Sequence, residues 1–280
     1  LRIIDTKEVI PIIKNLCKKA CYALDEDFIE VLKASFEKEE SPLGKEILES
    51  LIENAIYAKK EQVACCQDTG ITIVHMEIGQ EVTWEGIPLI DAINEGVRQG
   101  YVEGYLRKSV VQDPILRKNT GDNTPAVVRT EIVAGDQVKV TIMPKGAGSE
   151  NMSRLKMLTP ADGIKGIKEF VIETIELAGG KACPPYIVGI GIGGTMDLAA
   201  WLAKKSLERP IGDRNKAEHL AALEIELRDI INDLGLGPLG LGGRVTALDV
   251  HIEAYACHIA SLPIAVNLQC HANRHAVVTI

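Results

Sequence analysis

Three cysteines stand where a thiolate could project from the edge of an element into a cleft: Cys66 before Gln67-Asp68-Thr69-Gly70, Cys183 before Pro184-Pro185, and Cys270 before His271-Ala272-Asn273-Arg274. Their neighbours are turn-forming or polar, and a thiolate in such a place can bind metal or act as a nucleophile. Spacing alone does not establish a metal site, because the chain has no C-x-x-C and the three lie far apart in sequence. The other cysteines read as ordinary packing: Cys17 and Cys21 lie on a helical stretch among lysines, and Cys65 and Cys257 adjoin stronger candidates. A second pattern, Gly189-Ile190-Gly191-Ile192-Gly193-Gly194, satisfies G-x-G-x-x-G between a predicted strand and a helix. A dinucleotide unit needs a second parallel strand ending in an acidic residue, but here Arg209-Pro210-Ile211-Gly212-Asp213 runs into another helix. A tight strand-to-helix packing turn is therefore preferred to nicotinamide binding.

The elements that must position these residues follow from hydrophobic periodicity. Over residues 1–60, Val9, Ile12, Ile13 and Leu16, then Phe28, Val31 and Leu32, then Leu43, Ile47, Leu48, Leu51 and Ile52 recur at helical spacing. They predict three amphipathic helices, broken near Asp25 and at Ser41-Pro42. From Ile71 the period changes to that of a strand, followed by a helix over 88–106 and a hairpin-like pair over 126–133 and 138–143 around Ala134-Gly135-Asp136. A helix from Thr159-Pro160-Ala161-Asp162 to Gly179-Gly180, a strand over 186–192 and helices over 196–207 and 216–234 come next. A glycine-rich loop over 235–243 precedes strands over 244–258 and 263–268. The fold class is α/β mixed (α+β): a helical N-terminal region, residues 1–60, packed on a mixed-sheet catalytic body, with 1–280 read as one domain.

Composition narrows the functions. A chain of 280 residues, 46% apolar and 25% charged, can bury a sizeable core. A net charge of −8 repels nucleic acid and anionic membrane, and 4% aromatic residues supply no base-stacking platform. The least polar run, 186–203, holds four glycines and Asp197, which argues against a membrane span. An odd number of cysteines and the lack of a charged-then-apolar leader point to a reducing, cytoplasmic location.

Six strings occur in an order that resembles the alpha subunit of class I, iron-sulfur fumarate hydratase: Cys66-Gln67-Asp68-Thr69-Gly70, Leu106-Arg107-Lys108-Ser109, Asn119-Thr120-Gly121-Asp122-Asn123-Thr124-Pro125, Lys145-Gly146-Ala147-Gly148-Ser149-Glu150-Asn151, Cys183-Pro184-Pro185, and Ser261-Leu262-Pro263 leading to Gln269-Cys270. The resemblance implies that Cys66, Cys183 and Cys270 hold a [4Fe-4S] cluster with one iron not ligated by protein. Four thiolates would close the cluster, whereas three leave a Lewis-acidic corner for a substrate hydroxyl and carboxylate.

It implies further that Asp68 helps to protonate the departing hydroxide, that His258 pairs with Asp68, and that Gln67 reaches the substrate. Arg107 would bind a substrate carboxylate through its planar fork. Lys145, Gly146, Ala147 and Gly148 would present backbone N–H groups to a carboxylate. Asn123, Thr124, His271 and Arg274 have no assigned role, and His75, His219, His251 and His275 read as structural.

The implied activity is reversible hydration of fumarate to (S)-malate, a reaction of the tricarboxylic acid cycle, on a small dicarboxylate. The alternative is an L-tartrate dehydratase alpha subunit, a relative that departs from Lys-Gly-x-Gly-Ser; a nicotinamide oxidoreductase or a non-enzymatic binding module stands further off. The family's remaining substrate-binding groups belong to a beta region with no counterpart before Ile280, which implies a beta-subunit partner in a heterodimer, doubled to α2β2 by family precedent.

Overall fold

Helical and strand periods alternate along the chain much as the sequence predicts in the computed structural model, which describes residues 1–280. The first elements are β1 (Arg2–Asp5), α1 (Thr6–Tyr22), α2 (Glu26–Lys38), α3 (Pro42–Glu61), β2 (Ile71–Gly79), β3 (Val82–Glu85) and α4 (Leu89–Glu103). There follow β4 (Val127–Val133), β5 (Val138–Lys145), the single turn α5 (Ala147–Glu150), β6 (Arg154–Leu158) and α6 (Gly163–Ala178). The chain closes with β7 (Tyr186–Gly193), α7 (Met196–Lys205), α8 (Glu218–Asp233), β8 (Ala247–Tyr255), β9 (Leu262–Gln269) and β10 (Ala276–Thr279). The α/β mixed class is as expected, and the three predicted N-terminal helices are α1, α2 and α3. No helix is long and apolar enough to cross a membrane.

The chain forms two compact units. One comprises Leu1–Leu24, Ala55–Ala147 and Arg274–Ile280. Its four-stranded sheet has the order β10-β5-β2-β4, with β5 antiparallel to both β10 and β2, and β4 parallel to β2. Alternate residues Val74, Met76 and Ile78 of β2 and Val138, Val140 and Ile142 of β5 bury one face against Val9, Ile13 and Leu16 of α1 and Ile93, Val97 and Tyr101 of α4. Fully burying each such aliphatic side chain contributes about 1.5–3 kcal/mol.

The predicted hairpin is not formed: β4 and β5 lie on opposite sides of β2 rather than on each other. The turn after β4 carries the signals of a hairpin, but its carbonyls are taken elsewhere. Gly135 O accepts from Glu81 N at 3.0 Å and Gln137 O from Gly79 N at 2.8 Å, so the end of β2 wedges between the two strands. Insertion buries β2 from both edges, which an isolated hairpin cannot do.

The other unit comprises Asp25–Asn54 and Gly148–Asn273, so α3 begins in this unit and ends in the first. Its sheet has the order β6-β9-β7-β8, with β9 antiparallel to β6 and β7, and β8 parallel to β7. Phe170, Val171 and Ile175 of α6 and Leu223, Leu227 and Ile231 of α8 pack on Val188, Ile190, Val250 and Ile252. Helix α7 lies close against β7, and the glycine pattern of that strand follows from this approach. A Cβ on Gly191 would sit 2.0 Å from the Ala199 carbonyl oxygen, and one on Gly189 2.2 Å from that of Ala203.

Strand β8 is an edge whose backbone is covered by side chains. The Ala247 carbonyl accepts from Asn232 Nδ2 (3.1 Å), Val250 from Arg214 Nη1 (3.2 Å), and Ile252 from Asn215 Nδ2 (2.7 Å) and Arg209 Nη1 (3.3 Å).

Candidate active site

In the first unit, the loop between α3 and β2 carries Cys66, Gln67 and Asp68. It enters β2 through Gly70, whose φ of +72° suits glycine and where a Cβ would meet the Lys145 carbonyl at 2.4 Å. That close approach seats Asp68 beside the turn that follows β5. The carboxylate then joins the two: Oδ1 accepts from Gly70 N at 3.0 Å and Oδ2 from Ala147 N at 2.9 Å. Arg274, 1% exposed, donates to the Asp68 carbonyl.

Two more segments close on the same loop. Thr69 Oγ1 donates to the Arg107 carbonyl at 3.1 Å, and Tyr101, at the end of α4, donates its hydroxyl to the Thr69 carbonyl at 2.7 Å. Asn123 is fully buried with φ +65°, a conformation asparagine tolerates. Its Oδ1 accepts from Ser109 N (2.7 Å) and its Nδ2 donates to the Gly70 carbonyl (3.2 Å). The strings around Cys66, Arg107, Asn123 and Lys145 thus meet in one hydrogen-bonded cluster.

Of the side chains read from the sequence, Gln67 and Arg107 are exposed, and Cys66 and Asp68 are half-buried. Cys66 Sγ donates to Gln67 Oε1 at 3.4 Å. Lys145 is buried, Gly146 is covered and Ala147 is exposed, with the Ala147 N–H given to Asp68.

In the second unit, Cys183 directly precedes the Pro184-Pro185 entry to β7, and Cys270 directly follows β9. Because Ile187 of β7 lies opposite Gln269 of the antiparallel β9, the two cysteines emerge at the same end of the sheet. The Cys183 carbonyl accepts from His271 N at 3.2 Å. Both thiols are half-buried, and Cys183 adopts a left-handed φ of +53°. His258 lies exposed between β8 and β9, its Nδ1 accepting from Ala260 N at 3.1 Å, and Gly148 is exposed.

The remaining cysteines differ in kind. Cys17, Cys21 and Cys65 are buried in the first unit. Burial pushes the Cys21 thiol up to about 12 and Cys17 higher still, which keeps both protonated and apolar. Cys257, expected to be packed, is instead exposed on the loop after β8, its Sγ donating to the Ser261 carbonyl at 3.3 Å. The loop turns on its own hydrogen bonds, Ser261 N to His258 O among them, and has no need of the thiol as filling.

Two contributors, Asn123 and Arg274, carried no assigned role in the sequence, and a third, Tyr101, was not singled out there at all. Asn123 lies inside a quoted string and Arg274 closes the segment after Cys270, but only the fold shows what they hold. A separate group, His75, Glu77 and Glu131, brings its donor atoms within 4.8 Å of one another, with Lys139 on Glu77 at 3.2 Å. A cavity of about 630 Å³ in the second unit, bordered by Lys38, Arg214, Arg244 and Asp249, is lined by none of the candidate catalytic, substrate-binding or metal-ligating residues.

Residues 10–279 match the family model described as Fumarate hydratase (Fumerase). A Methanocaldococcus jannaschii protein, provisionally named L(+)-tartrate dehydratase subunit alpha, is 46% identical over 279 residues, covering 98% of this chain and 98% of that one. The L(+)-tartrate dehydratase subunit alpha of Escherichia coli (strain K12) is 32% identical over 272 residues, covering 96% of this chain and 89% of its own.

Proposed function

The chain belongs to the fumarate hydratase (Fumerase) family of hydro-lyases, and from that premise we propose that it is the alpha subunit of a [4Fe-4S]-dependent fumarate hydratase completed by a beta subunit. The observation that carries the reading is the Asp68 carboxylate, two residues from a half-buried free thiol, tying the Cys66 loop to the 145–148 turn within reach of the Arg107 segment.

The donor set suits a cluster bound through three thiolates. Cys66, Cys183 and Cys270 form no disulfide and lie half-buried on loops, whereas Cys17 and Cys21 are sealed in packing that disfavours their thiolates. When bound, a cluster with one open iron supplies a Lewis acid for the substrate hydroxyl. The chain's own groups do the rest. Arg107 offers an exposed guanidinium fork to one carboxylate, and Gln67 offers an exposed amide beside Cys66. Each Asp68 oxygen takes one backbone N–H and keeps a second lone-pair direction for a proton. In dehydration that proton goes to the departing hydroxide as the C–O bond breaks, a C–H proton leaves to a base, and the electron pair of the C–H bond forms the double bond. His258 is the proposed partner of Asp68.

Fumarate is the first substrate on the strength of the Lys145-Gly146-Ala147-Gly148-Ser149 loop; L-tartrate is the second reading, favoured by the names of the relatives. The test is anaerobic co-expression with the second subunit, iron analysis, and steady-state assays on (S)-malate and L-tartrate. Cys66→Ser, Cys183→Ser and Cys270→Ser are each expected to abolish cluster retention while Cys17→Ser and Cys21→Ser keep it. Equal iron in all five variants defeats the ligand assignment, and faster turnover of tartrate than malate selects the second reading.

A further inference from the structure

The glycine-rich loop over 235–243 lies in the second unit against the segment that carries Cys183. The two backbones interlock: a Cβ on Gly240 would sit 2.5 Å from Gly180 Cα, and one on Gly180 would sit 2.7 Å from the Leu239 carbonyl oxygen. At this contact the Leu239 N–H donates to the Pro184 carbonyl at 2.8 Å, one residue past Cys183. Cys183 N donates to the Gly180 carbonyl at 3.1 Å, and the Cys183 carbonyl accepts from His271 N. Pro184 and Pro185 have no N–H to offer, so these bonds are what fixes the segment. Cys183 (φ +53°) and Leu239 (φ +52°) are both non-glycine residues in the left-handed region, a backbone that persists where its surroundings over-determine it.

Both ends of the loop are tied down within the same unit. At its start Gly237 N donates to Thr246 Oγ1 at 3.1 Å, and the Thr246 carbonyl accepts from Tyr186 N at 2.8 Å, at the entry to β7. At its end the buried Glu39 carboxylate accepts from Arg244 N at 2.9 Å and Val245 N at 2.8 Å. A Cβ on Gly243 would meet Glu39 Oε1 at 2.6 Å, so the chain is pressed onto that carboxylate. Cys270 differs, because it directly follows β9 and takes its direction from a strand inside the sheet. Three thiolates on one rigid cluster must each be held to a fixed position. For Cys183 the holding falls to the glycine-rich loop.

We propose that the 235–243 loop is a brace that holds Cys183 in the backbone conformation from which its thiolate binds the cluster, with Gly180, Gly240 and Glu39 as positioning residues. The inference rests on the reading of Cys183 as a cluster ligand. Its first test uses the full chain stripped of iron by a chelator without oxygen, with iodoacetamide as the probe and the alkylation rate of each cysteine read by peptide mass. In Gly180→Ala the added carbon drives the Leu239 carbonyl away and strains the bond to Pro184. Cys183 is then expected to react about tenfold faster, while Cys270 and the amide exchange of the buried strand β7 stay within about threefold of wild type. Glu39→Gln turns one acceptor into a donor and is expected to shift Cys183 the same way. Gly235→Asn, at φ +69° with open space where its Cβ would stand, is expected to change nothing, since asparagine tolerates that backbone. Iron in the anaerobic complex with the second subunit gives the second test: Gly180→Ala is expected to lose it about tenfold faster than wild type. Iron kept by Cys183→Ser overturns the ligand reading and the brace with it. Iron lost by Cys183→Ser but held normally by Gly180→Ala overturns the brace alone. So would equal acceleration of Cys183 and Cys270, an unchanged Cys183 rate in both Gly180→Ala and Glu39→Gln, or an equal effect of Gly235→Asn.

Discussion

Replacing Asp68 by asparagine separates chemistry from architecture, because the carboxylate serves both. In the structure its two oxygens accept two different amides, Gly70 N at 3.0 Å and Ala147 N at 2.9 Å. Asparagine keeps one oxygen and turns the other into an NH2 donor, so one amide must face a donor. A polar group left so costs about 1–3 kcal/mol, which at a total stability of roughly 5–15 kcal/mol leaves nearly all molecules folded at 25 °C. The melting temperature is expected to fall by about 2–4 °C for each kcal/mol lost. Loss of a general acid–base group removes about 10²–10⁴-fold in rate, or about 2.7–5.5 kcal/mol of transition-state stabilisation, and acts on every folded molecule. Asp68→Asn in the anaerobic complex is therefore expected to keep its iron, melt a few degrees early, and turn over malate at least about a hundredfold more slowly. Asp68→Ala removes the donor clash and lets water reach both amides; its kcat is expected to fall equally. A kcat for Asp68→Asn within about threefold of wild type, or a loss confined to the asparagine variant, would refute proton transfer by Asp68.

Three further outcomes test the framework. Glu39, 2% exposed, accepts backbone N–H groups of Glu40, Ser41, Arg244 and Val245; burial alone would raise its carboxyl, but these bonds hold it below the usual range. Glu39→Gln is expected to destabilise by about 2–4 kcal/mol in urea unfolding, and an unchanged midpoint would show that the clasp contributes nothing. Asp249 is held down to about 2 even though burial opposes it, by His251, Gly212 N–H and Arg214. Its folded value lies below the unfolded 3.8, so its contribution, roughly 2 kcal/mol, is present above about pH 4 and lost as pH falls towards 2. Asp249→Asn is expected to flatten stability against pH in that window, and an unaltered slope counts against the assignment. Gly191→Ala places a carbon 2.0 Å from a backbone oxygen and is expected to yield little folded protein, whereas a variant melting like wild type would undo the packing account of the glycine pattern.

What could be read from the chain was local. Periodicity located α1, α3, α4, α6, α8, β7 and β9 because each is long enough to repeat its burial pattern. It missed β1, β3 and β10, four residues each, and β6, five, which are too short to show a period. The hairpin failed for a different reason: turn chemistry at Gly135 says that the chain reverses, and nothing about a third strand lying between the arms. Lys145, read as part of a loop that offers backbone N–H groups to a carboxylate, ends β5 as a buried residue whose backbone Gly70 approaches closely, a contact between residues distant in sequence that no local pattern announces.

The candidate site shows why chemistry is easier to read than its support. Cys66, Asp68 and Arg107 announce themselves by type, whereas Tyr101, Asn123 and Arg274 act by answering backbone groups that the fold has taken from water. The Thr69 carbonyl, the Gly70 carbonyl, the Ser109 N–H and the Asp68 carbonyl each receive one of these side chains. A loop that carries reactive side chains and is also buried must have its peptide groups satisfied by something, since it has no ladder of its own. The required partners can come from any segment that reaches it, so their identity is fixed by three-dimensional proximity. Their chemistry, though, is constrained: a hydroxyl anchored on a rigid helix, an amide that both donates and accepts, and a guanidinium with donors to spare. Asn123 and Arg274 stand among other polar residues, Asp122 and Thr124 beside the one, Asn273 and His275 beside the other, so their types are legible in the sequence but which of them reaches the loop is set by the fold.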